Sequence, residues 1–534
     1  MANFRRRSSR LSSSAALAAL SLVALAACSP DPSPEGGEPP SASDAVIRTV
    51  LASDPSSFDP ALAAGQQTFQ INSLLYDTLL RRGGATELVG GLAESWEVVS
   101  ASEYTFTIRD DATCADGTPI TAGVVADSLE YLASPETNST WRNLVFGLGD
   151  ATVVAEEDTV SIALSEPFTT LLEGLTIPQT GIICPAGLAD LEGLAAGTVE
   201  GGFSGPYVLA QADAGIGYSF ALREDYAAWP LYETSLPGAP AGTIDVTIST
   251  DQSSVANQLI AGDLEFAQFQ DVDTIARLEA NPDFTVETVT QATTYVVFNQ
   301  RPGRVFADDE GGQALRQGVA QAIDQNAFNT VFSGGTSEVL TTVVPSSFQC
   351  ASTDASLLEV NDPDAAAAVL AGAGPIKILG NTANAQYSGG ADYIYQVLTD
   401  AGANVEIEKV DNATFWSTIP LADADWDLVF LGDLNSVGAI SASLDRVIGP
   451  ATEDGGRNYS ASVNPEGEAT LAEALGAADE TARCEAFMAA QQSLFDRDDV
   501  VPLVGNNQAW AMGPATSVSI FGDIVDFATL RVVD

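Results

Sequence analysis

Tyr295-Val296-Val297-Phe298-Asn299-Gln300 is the stretch on which the reading of this chain turns. It is short, apolar and rich in valine and aromatic residues, the composition of a buried strand. Arg301-Pro302-Gly303 closes it, and a helix follows with Leu315, Val319, Ala322 and Ile323 on one face. Near the C-terminus, Val500-Val501-Pro502-Leu503-Val504-Gly505-Asn506-Asn507 forms its counterpart. The two runs read as paired crossovers that take the chain out of one lobe and bring it back. Such an arrangement implies a ligand held between lobes that close around it.

The N-terminus carries an address. Arg5, Arg6, Arg7 and Arg10 precede an apolar segment from Ala15 to Ala27, too short to span a bilayer. The segment ends Leu25-Ala26-Ala27-Cys28, the layout of a bacterial lipoprotein signal in which Cys28 becomes the lipidated first residue. A plain signal peptide cut near Ala27, or an Arg-Arg export signal over Phe4 to Leu11, is the alternative. Residues 28–45 are dense in Pro, Ser, Gly and acid, which gives them little to bury and makes them a disordered tether.

Composition narrows the chemistry. Removing residues 1–27 takes four of the 21 basic residues and none of the 72 acids, so the remaining chain carries about −55. Nucleic acid and anionic membrane surfaces are poor partners for that charge. A solvated acidic surface is the simplest reading of it. About 507 residues then remain, enough for several domains with their own cores. Histidine is absent, which removes Ser-His and Cys-His nucleophile pairs and imidazole metal sites. Paired carboxylates of the glycosidase kind stay possible but are uninformative in so acidic a chain. No GxxxxGK[ST] loop occurs, so ATP hydrolysis is not expected. With Cys28 set aside, Cys114, Cys184, Cys350 and Cys484 remain. In an exported chain four cysteines argue for two disulfides, with three connectivities open. Cys114–Cys184 and Cys350–Cys484 are favoured because each pair stays within one lobe; reduced buried thiols are the alternative. No CxxC occurs, and neither metal nor cofactor is expected.

The folded part begins with a strand at Val46 to Leu51 and the turn-rich loop Asp54-Pro55-Ser56-Ser57-Phe58-Asp59-Pro60. A helix is expected over Gln66 to Leu80, with Ile71, Leu74, Leu75 and Leu79 on one face. Tyr104 to Arg109 alternates as a half-buried strand, and Thr121 to Leu132 reads as a helix. Ser57-Phe58-Asp59-Pro60, Leu75-Tyr76-Asp77-Thr78-Leu79, Gly91-Leu92-Ala93-Glu94-Ser95-Trp96 and Asp116-Gly117-Thr118-Pro119 together resemble the family 5 solute-binding proteins of ABC importers, the oligopeptide-, dipeptide- and nickel-binding lipoproteins. Gly205-Pro206-Tyr207, Gly262-Asp263-Leu264-Glu265, Phe298-Asn299, Leu315-Arg316-Gln317, Ala322-Ile323-Asp324 and Val501-Pro502-Leu503 continue the likeness in family order.

The resemblance implies an α/β, two-lobed, periplasmic-binding-protein-like fold of class II, with mixed sheets and two hinge crossovers. Domain I would combine residues 46–75, 201–290 and 508–534. Domain II would be an insertion at 76–200, and domain III would run 291–507. It further implies a monomeric extracellular lipoprotein that captures oligopeptides for a membrane permease and its ATPases. An oligosaccharide or other small solute is the alternative; a secreted hydrolase and a surface adhesin are the competing classes.

Within 291–507, Ile376–Leu379, Val405–Ile407 and Trp426–Gly432 read as strands separated by helices, a βαβαβ order that argues for a parallel sheet. Ligands bind such sheets beyond the carboxyl ends of the strands. That points to Asp433, Leu434 and Asn435, and more weakly to Asn381. Peptide-binding members of the family place an Asp near here, where it pairs with the α-amino group. Asp433 lies nearer the strand and lacks the customary Trp, so it either fills that role or caps the next turn. Further candidates are Phe58, Gln66, Gln67 and Phe69; Thr293, Thr294 and Tyr295; Trp416; and Asn506, Asn507 and Trp510. Amides and aromatic rings suit peptide backbone or sugar hydroxyls, and core packing is the competing role for each ring.

Overall fold

The computed structural model describes residues 43–533 apart from 85, 309–310 and 522–523. The basic leader, Cys28 and nearly all of the expected tether lie outside the described residues. Among those described, no helix is long and apolar enough to cross a membrane.

Both crossovers are longer than their apolar signal. The first strand runs Thr285–Phe298 and the second Val500–Met512. They pair antiparallel along nearly their whole length, from Thr285 opposite Met512 to Val297 opposite Val500. The apolar ends sit where both sheet faces are covered, so the run is continuous there. The other half, Thr285-Val286-Glu287-Thr288-Val289-Thr290, alternates with period two and is β-branched enough to hold a strand without full burial. Register shifts fall between Thr290 and Ala292, and between Thr293 and Tyr295. The first shift adds a residue to one strand and the second adds one to its partner. Such bulges bend and twist a ribbon locally. Thr294 repairs the ladder there: its hydroxyl donates to the Val504 carbonyl at 2.7 Å and accepts from the Val504 N–H at 3.2 Å.

Lobe two is built on the far end of this ribbon. Leu428–Leu434 pairs antiparallel with the first crossover, and Ile376–Asn381 and Val405–Val410 follow as the expected parallel strands. Alternate residues feed opposite cores. Tyr295, Val297, Val429 and Leu431 pack with Trp426 and Phe487 on one face. Val296, Phe298, Leu428 and Phe430 pack with Phe328 and Ile394 on the other. Lobe one carries a six-stranded mixed sheet, in which Ser43–Leu51 runs parallel to Ala239–Ile248, and a four-stranded antiparallel sheet. Its strand Phe266–Phe269 pairs with the second crossover, so the ribbon belongs to both lobes.

Two helices stop earlier than their periodicity suggests. The helix expected to reach Leu80 covers only Gln66–Leu75, and Tyr76 is extended. Tertiary hydrogen bonds win over the amphipathic pattern at this point. The Asp77 N–H donates to Ser204 Oγ at 3.0 Å, and the Asp77 and Thr78 carbonyls accept from Ile182 and Leu92. Likewise Gly312–Ala322 ends at Ile323, because the Asp324 side chain caps a second helix, Gln325–Ser333. Both favoured disulfides form, Cys114–Cys184 and Cys350–Cys484, with Cα atoms 6.0 and 4.8 Å apart.

The ends of the ribbon in lobe two are tied down by Arg316, which has no exposed surface. Its guanidinium donates to the carbonyls of Phe306, Arg497 and Asp498 and pairs with Asp308 at 2.9 Å and Asp499 at 3.3 Å. Arg316→Met would strand the three carbonyls and leave Asp308 and Asp499 with Arg497 alone as ion-pair partner, a loss of about 1–3 kcal/mol that urea unfolding should register. Arg316→Lys should recover little of it, since one ammonium cannot reproduce the fork. Beside it, Asp498 borders a second cavity of about 220 Å³ together with Glu359. Burial, with Glu359 adding repulsion, pushes the Asp498 carboxyl up to about 7. From the ordinary carboxyl range up to about 7, the unfolded chain sheds this proton while the folded chain keeps it. Stability from this group therefore falls as pH rises and is fully lost above about 7. Asp498→Asn, tolerated at φ 53°, should raise the melting temperature relative to the unaltered chain at pH 8. The same comparison at pH 5 should show a smaller gain or none.

Candidate functional site

The bulged centre of the ribbon forms the back wall of a cavity of about 110 Å³. Lobe one contributes Gln66, Phe69, Gln70 and Ser73 from the helix Gln66–Leu75, with Arg81, Arg82 and the turn at Ile177-Pro178. The crossovers contribute Thr290, Ala292, Thr293 and Trp510. Lobe two contributes Val344, Pro345 and Phe348 and the loop Asp433 to Gly438, which leaves the carboxyl end of its strand as the rule for open sheets requires.

The lobes touch across this cavity. The Thr169 N–H donates to the Leu475 carbonyl at 3.0 Å, and Ser441 Oγ meets Thr170 Oγ1 at 3.3 Å. Val437, Ala439 and Ala442 of lobe two belong to the same apolar core as Leu171 and Leu175 of lobe one. Arg82 reaches over from lobe one and donates to the Val437 carbonyl. Gly438 makes that reach possible. Its φ is 66°, and a Cβ there would lie 2.7 Å from Arg82 Nη2.

Asp433 does not cap the next turn, and its carboxylate already has partners inside the protein. It is buried and ion-paired to Arg446 at 2.6 Å, and its other oxygen accepts from the Tyr295 hydroxyl at 3.1 Å. Burial opposes the charge on Arg446, but Asp433, Tyr459 and Tyr295 outweigh it and raise its pKa above the usual arginine range. Burial and then the Asp433 carboxylate push Tyr295 upward, which keeps it a phenol donor. The next turn is capped by Asn435 instead. Its Oδ1 accepts from the Gly438 N–H at 3.0 Å, and its Nδ2 donates to the Ala439 carbonyl at 2.8 Å and to Ser443 Oγ at 3.0 Å.

The cavity gathers Gln66, Phe69, Thr293, Asp433, Leu434, Asn435 and Trp510 from the sequence candidates. Gln66 Nε2 donates to Gln508 Oε1 at 3.0 Å, Phe69 stands edge-on to Trp141, and Thr293 Oγ1 donates to the Val343 carbonyl at 2.8 Å. Trp510 is stacked on Phe266 at 5.1 Å. The remaining candidates are not on the cavity wall. Phe58 packs edge-on against Tyr218 in a core of lobe one, and Gln67 lies on a different side of its helix from Gln66 and Phe69. Thr294 and Tyr295 are committed to Val504 and Asp433. Trp416 packs against Phe415 and Tyr459, so it and Trp510 do not meet as a stacking pair for a sugar. Asn506 donates to the Tyr387 hydroxyl, and Asn507 accepts from Thr290 Oγ1.

Arg81 and Arg82 are the residues that sequence reasoning missed. Both lie on the buried strand Leu80–Arg82. Arg81 pairs with Asp526 at 3.0 Å and Asp77 at 3.2 Å and donates to the Tyr76 carbonyl at 3.0 Å. Two adjacent arginines in a chain with 21 basic and 72 acidic residues were the available signal.

Comparison with known proteins places this geometry. The family model described as bacterial extracellular solute-binding proteins, family 5 Middle, matches residues 87–454. The chain is 25% identical over 518 residues to the probable D,D-dipeptide-binding periplasmic protein DdpA of Escherichia coli K12, covering 91% of this chain and 94% of that one. It is 34% identical to a substrate-binding protein from Microbacterium hydrocarbonoxydans solved in complex with 4-hydroxybenzoate hydrazide, with a TM-score of 0.80 over 92% of this chain and all of the other (100%). A Helicobacter pylori periplasmic binding protein, DppA, solved with the peptide STSA, shares the fold at a TM-score of 0.76 and 18% identity, over 92% of this chain and 98% of its own. The sheet order, the double crossover and the family match agree: this chain belongs to the family 5 bacterial extracellular solute-binding proteins.

Proposed function

We propose that this chain is the extracellular capture subunit of an ABC importer that closes its two lobes on a peptide-class solute and delivers it to a membrane permease and ATPase. One observation carries the reading. The cavity is walled by both lobes and by the bulged ribbon that joins them, so a solute bridging the walls stabilises the closed form. Relatives that bind dipeptides or peptides support the solute class. The 4-hydroxybenzoate hydrazide in the Microbacterium hydrocarbonoxydans protein favours a second reading, a small aromatic amide-like solute.

Three regions serve this role: residues 46–75, 201–290 and 508–534 as the base, 76–200 as an insertion in the same lobe, and 291–507 as the moving lobe. Cys28 anchors the monomer by lipid to the outer face of the cell membrane. No catalytic step belongs to the chain; the energy of transport comes from the partner ATPases.

A bound solute should raise the melting temperature, by about 2.7 kcal/mol of stability at a hundredfold excess over Kd. It should also shift small-angle scattering toward a more compact profile. Short-peptide mixtures that produce neither change would count against peptides. Gly438→Ala should displace Arg82 from the Val437 carbonyl. Losing that charge-assisted hydrogen bond, about 1.5–3 kcal/mol, weakens binding roughly tenfold or more in a calorimetric titration.

A further inference from the structure

We propose that Gln491 is a positioning residue of the solute site: it fixes the lobe-two wall of the cavity before solute arrives, and the affinity of the site depends on that hold. The proposal rests on the reading of this cavity as the solute site.

The wall is one segment of chain. Val344, Pro345, Ser347, Phe348 and Gln349 all border the cavity. They lie within residues 341–352, a stretch with neither helix nor strand. Backbone of that kind keeps one shape only where other groups satisfy its N–H and carbonyl groups. On one side the first crossover holds it, through the Thr293 hydroxyl that donates to the Val343 carbonyl. On the other side stands the helix Glu480–Asp496.

That helix presents a stripe to the segment. Glu480, Cys484, Phe487 and Gln491 are spaced by four, three and four residues, which lines them up on one face. Glu480 Oε1 accepts from Gln349 Nε2 at 2.7 Å, and Cys484 is bonded to Cys350. Phe487 shares an apolar core with Val343 and Val344. Gln491 makes the most contacts of the four. Its Oε1 accepts from the Thr342 hydroxyl and from the Ser352 N–H, each at 2.8 Å. Its Nε2 donates to the Cys350 carbonyl at 2.9 Å and to the Phe487 carbonyl at 3.0 Å.

All four bonding positions of the amide are therefore in use, two as acceptor and two as donor. A carboxylate could accept but not donate, and a hydrocarbon could do neither. Gln491 has no exposed surface, so water does not compete for these bonds. By gripping Thr342 near one end and Ser352 at the other, it closes the segment into a loop whose middle faces the cavity. Cys350 lies at φ 64°, a conformation that a residue with a Cβ keeps only when its surroundings impose it. The disulfide and Gln491 impose it together.

Gln491 itself does not border the cavity, so its influence on a solute passes through the wall. A wall already in place spares the solute the cost of ordering it. A wall in place for only part of the time weakens apparent affinity by that fraction.

The unaltered full chain is first offered a mixture of synthetic dipeptides and tripeptides and, separately, 4-hydroxybenzoate hydrazide. Whatever mass spectrometry finds retained is then titrated by calorimetry, at a temperature where every variant tested is folded. Gln491→Leu should weaken binding about tenfold or more, and Thr342→Val, which removes one of the four bonds, about threefold to tenfold. Thr342→Ser restores the hydroxyl and should bind within about twofold of the unaltered chain. Hydrogen exchange over residues 341–352 should quicken in the two weakened variants and not in Thr342→Ser. If Gln491→Leu does not fold, the two Thr342 variants carry the test.

A purely structural role predicts lower urea stability with an unmoved Kd in Gln491→Leu and Thr342→Val, and that result overturns the proposal. Thr342→Ser binding as weakly as Thr342→Val does so too, because the hydroxyl would then not matter. Phe348→Ala alters the wall itself and checks the reading beneath. Unchanged binding there, or no retained solute at all, overturns the reading of the cavity and the proposal with it. Weaker binding in Phe348→Ala beside unchanged binding in Gln491→Leu and Thr342→Val overturns the proposal alone.

Discussion

Two extended passes of backbone, hydrogen-bonded to each other, carry the division of this molecule into lobes. Both strands lie in one sheet that spans the lobes, since Phe266–Phe269 adds to the second crossover at one end and Leu428–Leu434 adds to the first at the other. A single linker would let the lobes swivel freely, and a wide sheet would lock them. Paired strands with bulges between Thr290 and Tyr295 confine bending to one place. The cavity forms where the ribbon bends, which is the place where a solute can touch both lobes and the hinge together.

The interior electrostatics follow from the same geometry. A chain with 72 acids and 21 basic residues has few cations to spare, and it uses many of them where the lobes and the ribbon meet. Arg316 fixes the lobe-two ends of the crossovers, Arg81 joins the strand Leu80–Arg82 to Asp526 near the C-terminus, and Arg446 holds Asp433. These are guanidiniums with several carbonyl and carboxylate partners each, the role for which arginine's planar fork suits it better than lysine. Most of the other described carboxylates are exposed or partly exposed, with Asp59, Asp427 and Asp498 among the buried exceptions.

Much of the fold was legible because its signals are periodic. The apolar runs at Tyr295 and Val500 marked the crossovers, and the strand-helix order from Ile376 to Leu434 marked the parallel sheet. What periodicity could not supply was where tertiary hydrogen bonds overrule it. Nothing local distinguishes Tyr76 to Leu79 from a continuing helix until Ser204, Ile182 and Leu92 arrive to bind their backbone. The site was legible by position and less so by role. Thr293 and Trp510 reach the cavity, while their neighbours Thr294 and Asn506 are taken up by Val504 and Tyr387. Sequence offers no view of a partner 13 residues away, so Asp433 read as available when Arg446 already held it.

The two bulges have a joint effect that neither has alone. Pairing that aligns Thr285 with Met512 and Thr290 with Asn507 is displaced by one residue at Ala292 and Thr293, then restored at Tyr295 opposite Pro502. The insertions sit on opposite strands and cancel. Beyond the bend, the ladder resumes in the frame it had before. Since side chains alternate between faces with every residue, that cancellation keeps the inward and outward sets of both lobes in phase while leaving the angle between them adjustable. The molecule thus has a joint that can turn without losing count.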